Sequence, residues 1–475
     1  MPLDIKECAS HCDGMEVCKG FSYGSYESSN QVGCILKSAS CSDPVKGTFV
    51  FYEKVGLRSN YTLLGHNDTA GMFTDEMYPE EPLTYADCGN QFTNYGSAFA
   101  IMFMANRADQ PKGYPLEVYV TTATKSRPVR FEITAPRSST YLSQQLTVQN
   151  DDVKKILVPN DFRMEEAGIE SKVIIVRAID PPDADLVVIG VNRETYTVDG
   201  FLGLPTAALG TEYMAVTWAP ETQWANEFGV AAIKDNTRIK IELAGAQFDR
   251  SEFHPWKRIQ VEFRGRVYSD GDMIDVTLNR YDSLLIINTE KQSDLTGTRI
   301  TGSYPFALFS GNIRTALWYP GVPDPNRDHL VEQIPPVKNW GRRFVFTSTP
   351  ARTVGDYLKI VAAYDATTVT IQQAAGKLVT QHLNKRQFST VLVPSNECVY
   401  IDSNNPILVT SFSLSQESRA STEKSDPSMV VIPPIEQYRD RYTFSTVEYA
   451  GADKSPENDY KHYVMMSLRR QVSFV

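Results

Sequence analysis

One pentapeptide of the chain has the pattern of a catalytic serine. Gly20-Phe21-Ser22-Tyr23-Gly24 matches G-x-S-x-G, with which a hydrolase presents its nucleophile on a tight turn between a strand and a helix. No amphipathic helix can follow, because residues 25–33 are rich in Ser, Asn, Tyr and Gly. We therefore interpret Ser22 as part of a strand, and a surface hydrolase acting through Ser22 remains the enzyme alternative.

The histidines give no better basis for catalysis. Six of them are spread over 475 residues, and the sequence contains no Walker, Rossmann or H-E-x-x-H motif. We predict a protein that is not an enzyme and has no cofactor. The histidines are His11, His66, His254, His329, His382 and His462.

Two acidic groups could in principle hold a metal ion. Asp328, His329 and Glu332 crowd together, but a repeat copy 98 residues later has Asp426, Pro427 and Val430 at these positions. We interpret this junction motif as a polar contact between neighbouring β units and predict no metal there. The second group has aspartates that calcium could bind, but Pro181 and Pro182 interrupt it, so we interpret it as a solvated turn. Its members are Asp180, Asp183 and Asp185.

Five of the seven cysteines lie within the first 41 residues. A segment this short buries little core, so the crowding predicts a disulfide framework and an oxidising compartment. Zinc is the alternative, but there is no C-x2-C pair and His11 stands alone among these cysteines. The five are Cys8, Cys12, Cys18, Cys34 and Cys41; the other two are Cys88 and Cys398.

The pattern of this segment resembles the PAN/apple module. A helix through residues 5–12 would carry Cys8 and Cys12 on one face, followed by short strands that begin at Cys18 and Cys34. The resemblance implies the pairs Cys8–Cys34 and Cys12–Cys18, and a first strand missing before Met1 whose cysteine would pair with Cys41. It also implies a module that binds protein or carbohydrate partners and performs no chemistry.

Two N-x-T sequons, at Asn60 and Asn67, follow the cysteines in a polar stretch. Together with the cysteines they predict a secreted, extracellular glycoprotein. The N-terminus lacks the apolar core of a signal sequence, which we explain by a chain that is a processed, cloned or partial piece of something longer.

Composition excludes two classes of partner. The net charge is −10, and the basic residues are scattered, so nothing favours nucleic acid. The longest apolar stretch, residues 98–105, has eight residues, whereas a membrane-spanning helix needs about twenty. We predict no membrane span.

From about residue 88 the sequence has the period-two alternation of half-buried strands, for example in residues 116–120 and 238–243. Segments are also repeated: Ile334-Pro335-Pro336 returns as Ile432-Pro433-Pro434. We predict an all-β fold of tandem β-sandwich-like repeats after a small α+β disulfide-rich module, with a β-propeller as the alternative. The predicted divisions are a partial PAN/apple-like module at 1–54, a linker and first strand region at 55–96, β repeats at 97–210, 211–341 and 342–440, and the start of an incomplete fourth repeat at 441–475.

Longer motifs in this body resemble the N-terminal region of the IgG Fc-binding protein family. They include Asp294-Leu295-Thr296-Gly297-Thr298, Asp328-His329-Leu330-Val331-Glu332 and Trp340-Gly341, and the resemblance covers about 88–475. It implies secreted adhesive, mucus or surface-coat glycoproteins. No residue pattern here supports a transfer of Fc binding itself.

We therefore predict a secreted, non-enzymatic adhesive, mucus or matrix glycoprotein that binds glycoprotein or glycan partners through its β repeats and its head. The alternative is a structural subunit of an extracellular polymer or coat, in which residues 441–475 pair edge to edge with a strand of another copy.

Overall fold

The structure is a computed structural model of the chain. It describes the backbone of residues 20–26, 31–37, 56–57 and 460–461, and residues 94–447 except 109–110, 126, 221–223, 251–256, 318–325, 350–353, 374–375, 416–425 and 440–441.

The described residues form strands and short 3-10 helices, which confirms the predicted all-β fold. In this part of the chain no helix has the length and apolar character needed to span a bilayer. The 3-10 helices are Asn160–Phe162, Thr206–Ala208, Ala246–Phe248, Val337–Asn339 and Ile435–Gln437.

Near the N-terminus, β1 (Gly20–Tyr26) pairs antiparallel with β2 (Gln31–Lys37), and Ser22 lies opposite Ile35. The predicted helix over residues 5–12 and the disulfides of the PAN/apple-like module lie outside the described residues. A short strand, β3 (Gly56–Leu57), follows.

The first unit is a sandwich of two four-stranded sheets with the orders β4-β10-β6-β7 and β12-β11-β5-β8. Phe131 and Ile133 of one sheet and Val118 and Val120 of the other belong to one buried core, so the sheets face each other and are not separate propeller blades. The eight strands are β4 (Ala98–Ile101), β5 (Leu116–Thr122), β6 (Val129–Thr134), β7 (Ser143–Val148), β8 (Lys154–Val158), β10 (Ile174–Asp180), β11 (Leu186–Glu194) and β12 (Thr197–Leu202), and a ninth strand of this part of the chain, β9 (Gly168–Glu170), belongs to neither sheet.

The second unit repeats this order, but one long strand replaces β10 and β11. Its strands are β13 (Gly210–Met214), β14 (Asn226–Ala232), β15 (Thr237–Glu242), β16 (Val261–Phe263), β17 (Arg266–Tyr268), β18 (Met273–Leu278), β19 (Ser283–Asn288), β20 (Arg299–Thr315) and β21 (Asp328–Ile334). The first part of β20 pairs with β15 and its second part with β14 and β21, so the long strand joins both faces into one curled sheet.

The third unit has the same arrangement around the long strand β27, which pairs with β22 and β24 in its first part and with β23 and β28 in its second. Its strands are β22 (Gly341–Thr347), β23 (Gly355–Ala362), β24 (Thr367–Gln373), β25 (Leu378–Leu383), β26 (Phe388–Pro394), β27 (Cys398–Ser413) and β28 (Ser428–Ile432). A last strand, β29 (Tyr460–Lys461), lies beyond these units.

The first unit differs at the bend of the long strand. Pro181 and Pro182 stand between β10 and β11, and the Asp180–Pro181 peptide bond is cis. Proline cannot donate a ladder hydrogen bond, so the strand that is continuous in the other two units is divided here.

Neighbouring units are connected by more than their linkers. Strand β9 of the first unit adds to the sheet of the second by pairing with β19. The 3-10 helices at the ends of the units also form a series: Asn339 Nδ2 donates to the Ala208 carbonyl at 2.9 Å, and Gln437 Nε2 donates to the Asn339 carbonyl at 2.5 Å. The repeat boundaries predicted from the sequence fall inside strands: β13 spans the boundary between residues 210 and 211, and β22 spans that between 341 and 342. These boundaries therefore stay a prediction.

The first glycine of each unit lies against the proline of the turn that ends the same unit. A Cβ placed on Gly96 would lie 2.7 Å from the Cβ of Pro205, and one on Gly210 would lie 2.6 Å from that of Pro336. At Gly341 the distance to the Cβ of Pro434 would be 2.2 Å. The start and the end of each unit therefore meet at a point where only glycine fits.

We predict that Gly341→Ala destabilises the protein by about 1–3 kcal/mol, because the new methyl group overlaps the Pro434 ring. Thermal unfolding followed by circular dichroism measures the effect. The matched control is Arg342→Ala, which removes an exposed side chain at the next position and should leave stability nearly unchanged. Equal stability of Gly341→Ala and the parent protein would contradict this packing.

Candidate functional site

The structure describes only some of the predicted site residues. Cys8, Cys12, Cys18, Asn60 and Asn67 lie outside the described residues, as does the side chain of Cys34. Asp328, His329 and Glu332 all lie on β21, where the last strands of the three units converge. No partner for Cys398 could be predicted from the sequence; this residue is buried at the start of β27 and is disulfide-bonded.

The converging strands are β12, β21 and β28, each at an edge of its own sheet. They do not pair with one another as a backbone ladder. Instead, side chains on one strand accept hydrogen bonds from backbone N–H groups of the next, so buried donors of one unit are satisfied by another. We call this region the strand junction and define it by Asp199, Asp328, His329, Glu332 and Gln333.

Asp328 connects the second unit to the first. Its Oδ1 accepts the backbone N–H of Val198 on β12 at 2.5 Å and that of His329 at 2.8 Å. Gln333 makes a second such link, because its Oε1 accepts the Leu204 N–H at 2.8 Å.

Asp199 reaches all three units. Its Oδ1 accepts the Gly200 N–H at 2.9 Å, its Oδ2 accepts the Val331 N–H of the second unit at 3.0 Å, and the Met429 N–H of the third unit also donates to it. Glu332 adds a link from the second unit to the third by accepting the Val431 N–H.

His329 is held as a neutral ring. Its Nδ1 lies 2.8 Å from the carbonyl oxygen of Asn312 and must donate, while its Nε2 lies 3.1 Å from Asn192 Nδ2 and must accept. Burial lowers the pKa of His329 to about 3. Both ring nitrogens are thus engaged within the protein.

The carboxyls of the strand junction favour their protonated forms. Burial raises the pKa of Asp199 to about 8, although its three N–H donors lower it in part. Burial also holds the pKa of Asp328 well above its usual range, and the nearby Asp426 raises it further. The pKa of Glu332 is likewise raised, first by burial and then by Asp199. Within the described residues, no group of three or more His, Cys, Asp or Glu side chains is arranged to hold a metal ion.

A buried ion pair joins the second unit to the third. Lys359 on β23 donates from Nζ to Asp294 Oδ2 at 2.5 Å and to the Thr217 carbonyl at 2.7 Å. Only 2% of each charged side chain is exposed. Asp294 also accepts from the hydroxyls of Thr217 and Thr296 at 2.6 Å each, so its charge is well compensated.

Aromatic rings complete the enclosure of the Lys359 ammonium. Its Nζ lies 4.9 Å from the ring centroids of Trp218 and Phe388 and 5.5 Å from that of Phe412, within the range of cation–π attraction. Trp218 packs against Tyr357 as well, at 5.3 Å between ring centroids. Sequence reasoning missed this site, because a single lysine in a strand gives no sign that another unit will cover it.

The contact between the first and second units uses different chemistry at the same positions. Gly229 on β14 is the equivalent of Lys359 on β23: it pairs with Phe309 of the long strand β20, and Lys359 pairs with Thr410 of the long strand β27. Gly229 has no side chain, and Met102 of the first unit lies against it where the third unit has the Lys359 ammonium group. Two residues earlier, the carboxyl of Glu227 is fully buried, which raises its pKa well above the usual range; the Ala105 N–H lowers it only in part.

An open depression lies on the surface where the first and second units meet, with a volume of about 310 Å³. Arg137 reaches across the contact to Asp282 at 2.8 Å, and the Arg280 guanidinium lies 4.6 Å from the ring centroid of Tyr281. Two cationic groups and an aromatic ring therefore face solvent together. The lining residues are Pro136, Arg137, Asp235, Asn279, Arg280 and Tyr281.

The acidic turn that was considered as a calcium site from the sequence lies between the end of β10 at Asp180 and the start of β11 at Leu186. Asp183 is exposed, and Asp180 lies 3.5 Å from Arg127 in an exposed ion pair. Burial and the neighbouring Asp183 raise the pKa of Asp185.

We predict that Lys359→Met destabilises the protein by roughly 3–5 kcal/mol, because it leaves the Asp294 charge buried without its cation. Urea unfolding followed by tryptophan fluorescence checks this, since Trp218 lies at the site. Lys257→Met is the matched control: its pair with Glu290 is at the surface, and its loss should cost at most about 0.5 kcal/mol. A comparable small loss for both variants would show that the buried pair adds nothing.

We predict that Asp328→Asn stabilises the protein at pH 8 and has less effect at pH 4. Asparagine keeps the Oδ1 acceptor for Val198 and His329 and removes an ionisable group beside Asp426. Because the folded-state pKa of Asp328 is raised, this carboxyl contributes stability below its unfolded pKa and loses it as pH rises towards the folded value.

The difference in melting temperature between Asp328→Asn and the parent protein should therefore grow from pH 4 to pH 8. The control is Asp365→Asn, an exposed aspartate that also accepts a backbone N–H, from Lys385 at 3.0 Å. A difference for Asp328→Asn that stays constant with pH would show that Asp328 is ionised throughout.

The model of the family described as IgGFc binding protein matches residues 199–473, which is more than half of the chain. The match begins at Asp199 and contains the strand junction and the whole of the second and third units.

An individual relative extends the similarity further. The IgGFc-binding protein of Homo sapiens is 26% identical over 338 residues, which is 71% of this chain and 6% of that protein. The chain thus spans only a small part of the length of this relative. Since the family model covers more than half of the chain, including the second and third units and the strand junction, the chain belongs to the IgGFc-binding protein family.

Proposed function

We propose that this chain is part of a secreted, non-enzymatic adhesive protein of mucus or extracellular matrix that binds glycoprotein partners. The observation that carries the proposal is that the chain belongs to a family described by what it binds. The human relative is named for binding IgG Fc; for the present chain, a glycoprotein ligand is the corresponding proposal.

The arrangement of the charged groups supports a scaffold. Asp199, Asp328, His329 and the Lys359–Asp294 pair each make at least one polar contact between units. A general acid or base must reach the proton that it transfers on a substrate. Groups enclosed between sheets instead hold neighbouring units in a fixed orientation, which suits a protein that presents a surface.

We place the partner contact at the depression between the first and second units. Tyrosine and arginine are the residues enriched at the centres of protein interfaces, and Arg280 and Tyr281 occupy this surface together. Arginine also binds carboxylate and sulfate groups in a bidentate manner, and both occur on glycoprotein glycans.

The N-terminal segment adds a second recognition module in this proposal. Its cysteines pair as Cys8–Cys34 and Cys12–Cys18, and the sequons at Asn60 and Asn67 carry glycans. Peptide mass mapping without reduction tests the pairing, and free thiols at all four cysteines would remove the oxidised module.

We predict that Arg280→Ala weakens binding to a glycoprotein probe by about tenfold, since a desolvated arginine contact is worth more than 1 kcal/mol. The full chain is tested by surface plasmon resonance against immobilised IgG Fc and, separately, an immobilised mucin. The ligand proposal requires binding to at least one of them.

The control is Arg266→Ala. Arg266 is exposed and stacks on Tyr268 at 4.6 Å, the distance at which Arg280 stacks on Tyr281, but it lies outside the depression. Equal loss of binding in both variants would reject the depression as the contact site, and no binding of the parent chain to either probe would reject the glycoprotein ligand.

A further inference from the structure

One surface turn has the same form in the second and third units. It comprises residues 279–282 in the second unit, at the depression, and residues 384–387 in the third. The two turns share their backbone N–H bonds, which are Arg280 to Asp235 and Tyr281 to Ala232 in the second unit, and Lys385 to Asp365 and Arg386 to Ala362 in the third. Arg280 is therefore the counterpart of Lys385, and Tyr281 is the counterpart of Arg386.

In the third unit, both cations of this turn are paired with acids of the second unit. Lys385 Nζ lies 3.0 Å from Glu212 Oε1, and a terminal nitrogen of Arg386 lies 3.2 Å from Glu242 Oε2. Arg386 Nε also donates to the Gly297 carbonyl at 2.9 Å. Ion pairs therefore close the contact between the second and third units at this turn.

The first unit has a neutral residue where the second unit has Glu242. Thr134 ends β6 and pairs with Ile175, as Glu242 ends β15 and pairs with Arg299. Tyr281 suits this change, because it packs against the apolar core of the first unit as an uncharged side chain. At this position the acid and its cation have both been replaced.

The second acid is also absent, but its cation remains. Ala98 is the second residue after Gly96, as Glu212 is the second residue after Gly210, and these glycines occupy equivalent places in their units. Arg280 still carries the charge that Lys385 has in the third unit. Among the residues that the structure describes, no carboxylate lies at ion-pair distance from the Arg280 guanidinium.

The two aspartates of this region are engaged elsewhere. Asp235 accepts the Arg280 backbone N–H at 3.0 Å, as Asp365 accepts that of Lys385, so it does not replace the missing glutamate. Asp282 pairs with Arg137 at 2.8 Å and accepts the Asn279 N–H at 2.7 Å. The guanidinium of Arg280 is thus free to bind a group from outside the chain.

We propose that the depression binds a carboxylate of a ligand, which takes at Arg280 the place that the Glu212 carboxylate has at Lys385. The ligand class, a glycan that ends in a carboxylate-bearing sugar, rests on the proposed binding of glycoproteins. Stacking on the Tyr281 ring at 4.6 Å orients the planar guanidinium for a bidentate contact. The volume of about 310 Å³ is at the small end for ligand sites and suits a terminal sugar.

Ligand-observed NMR on the full chain tests the proposal with sialyllactose, whose terminal sugar carries one carboxylate. We expect sialyllactose to bind about tenfold more tightly than its carboxyl methyl ester, because the ester lacks the charge that strengthens the hydrogen bonds to Arg280. Arg280→Gln should remove this preference. Arg280→Lys, which supplies the cation found in the third unit, should restore part of it.

The control is Arg266→Gln. It removes an exposed arginine that stacks on Tyr268 at the same distance of 4.6 Å but outside the depression, so the preference for sialyllactose should remain complete.

Four outcomes overturn the carboxylate site. They are no binding of sialyllactose, equal binding of its methyl ester, a preference that Arg280→Gln leaves intact, and equal binding of a sulfated lactose, which would indicate a site for any anion. Each is distinct from failure of the proposed function, which is decided by the binding of the parent chain to IgG Fc and mucin. A chain that binds mucin but does not distinguish sialyllactose from its ester would keep the glycoprotein ligand and lose the carboxylate site.

Discussion

The structure depends on how buried edge strands satisfy their backbone groups. Each unit ends in an edge strand, and β12, β21 and β28 are brought together where backbone N–H groups that lack a strand partner would otherwise be buried at high cost. Asp199, Asp328, Glu332 and Gln333 supply the missing acceptors. Because each of these side chains accepts a backbone N–H of another unit, the orientation of the units follows from the hydrogen bonding of three strands.

Neighbouring units share one strand topology, but the side chains at their contacts differ in chemistry. One contact holds Met102 against Gly229, and the equivalent contact holds an ammonium group between Asp294 and three aromatic rings. Apolar packing tolerates small changes in geometry, whereas the Lys359–Asp294 pair is stable only when every partner is in place. The second contact therefore constrains the relative position of its two units more strongly than the first.

The sequence predicted the fold class well because strand alternation and repetition are local or periodic signals. Residues such as Arg238 to Leu243 alternate in type, and in β15 buried and exposed positions do alternate. The motif of Asp328, His329 and Glu332 was found as a cluster of titratable residues, and the structure places it between units. Asp199 and Lys359 could not be found in this way, since their significance arises from a partner more than 60 residues away in the chain. Nor does strand periodicity show that β10 and β11 together replace one long strand.

Strand β9 has a practical implication for dissecting the protein. It follows β8 in sequence, yet it completes a sheet whose other members begin at Gly210. A fragment excised between Leu209 and Gly210 would leave Ser283, Leu284 and Leu285 with a bare edge, although every strand of the second unit itself had been retained. The smallest fragment suitable for expression is consequently larger than a single repeat. Fragment boundaries chosen from sequence periodicity alone would leave an unpaired strand edge, which promotes aggregation.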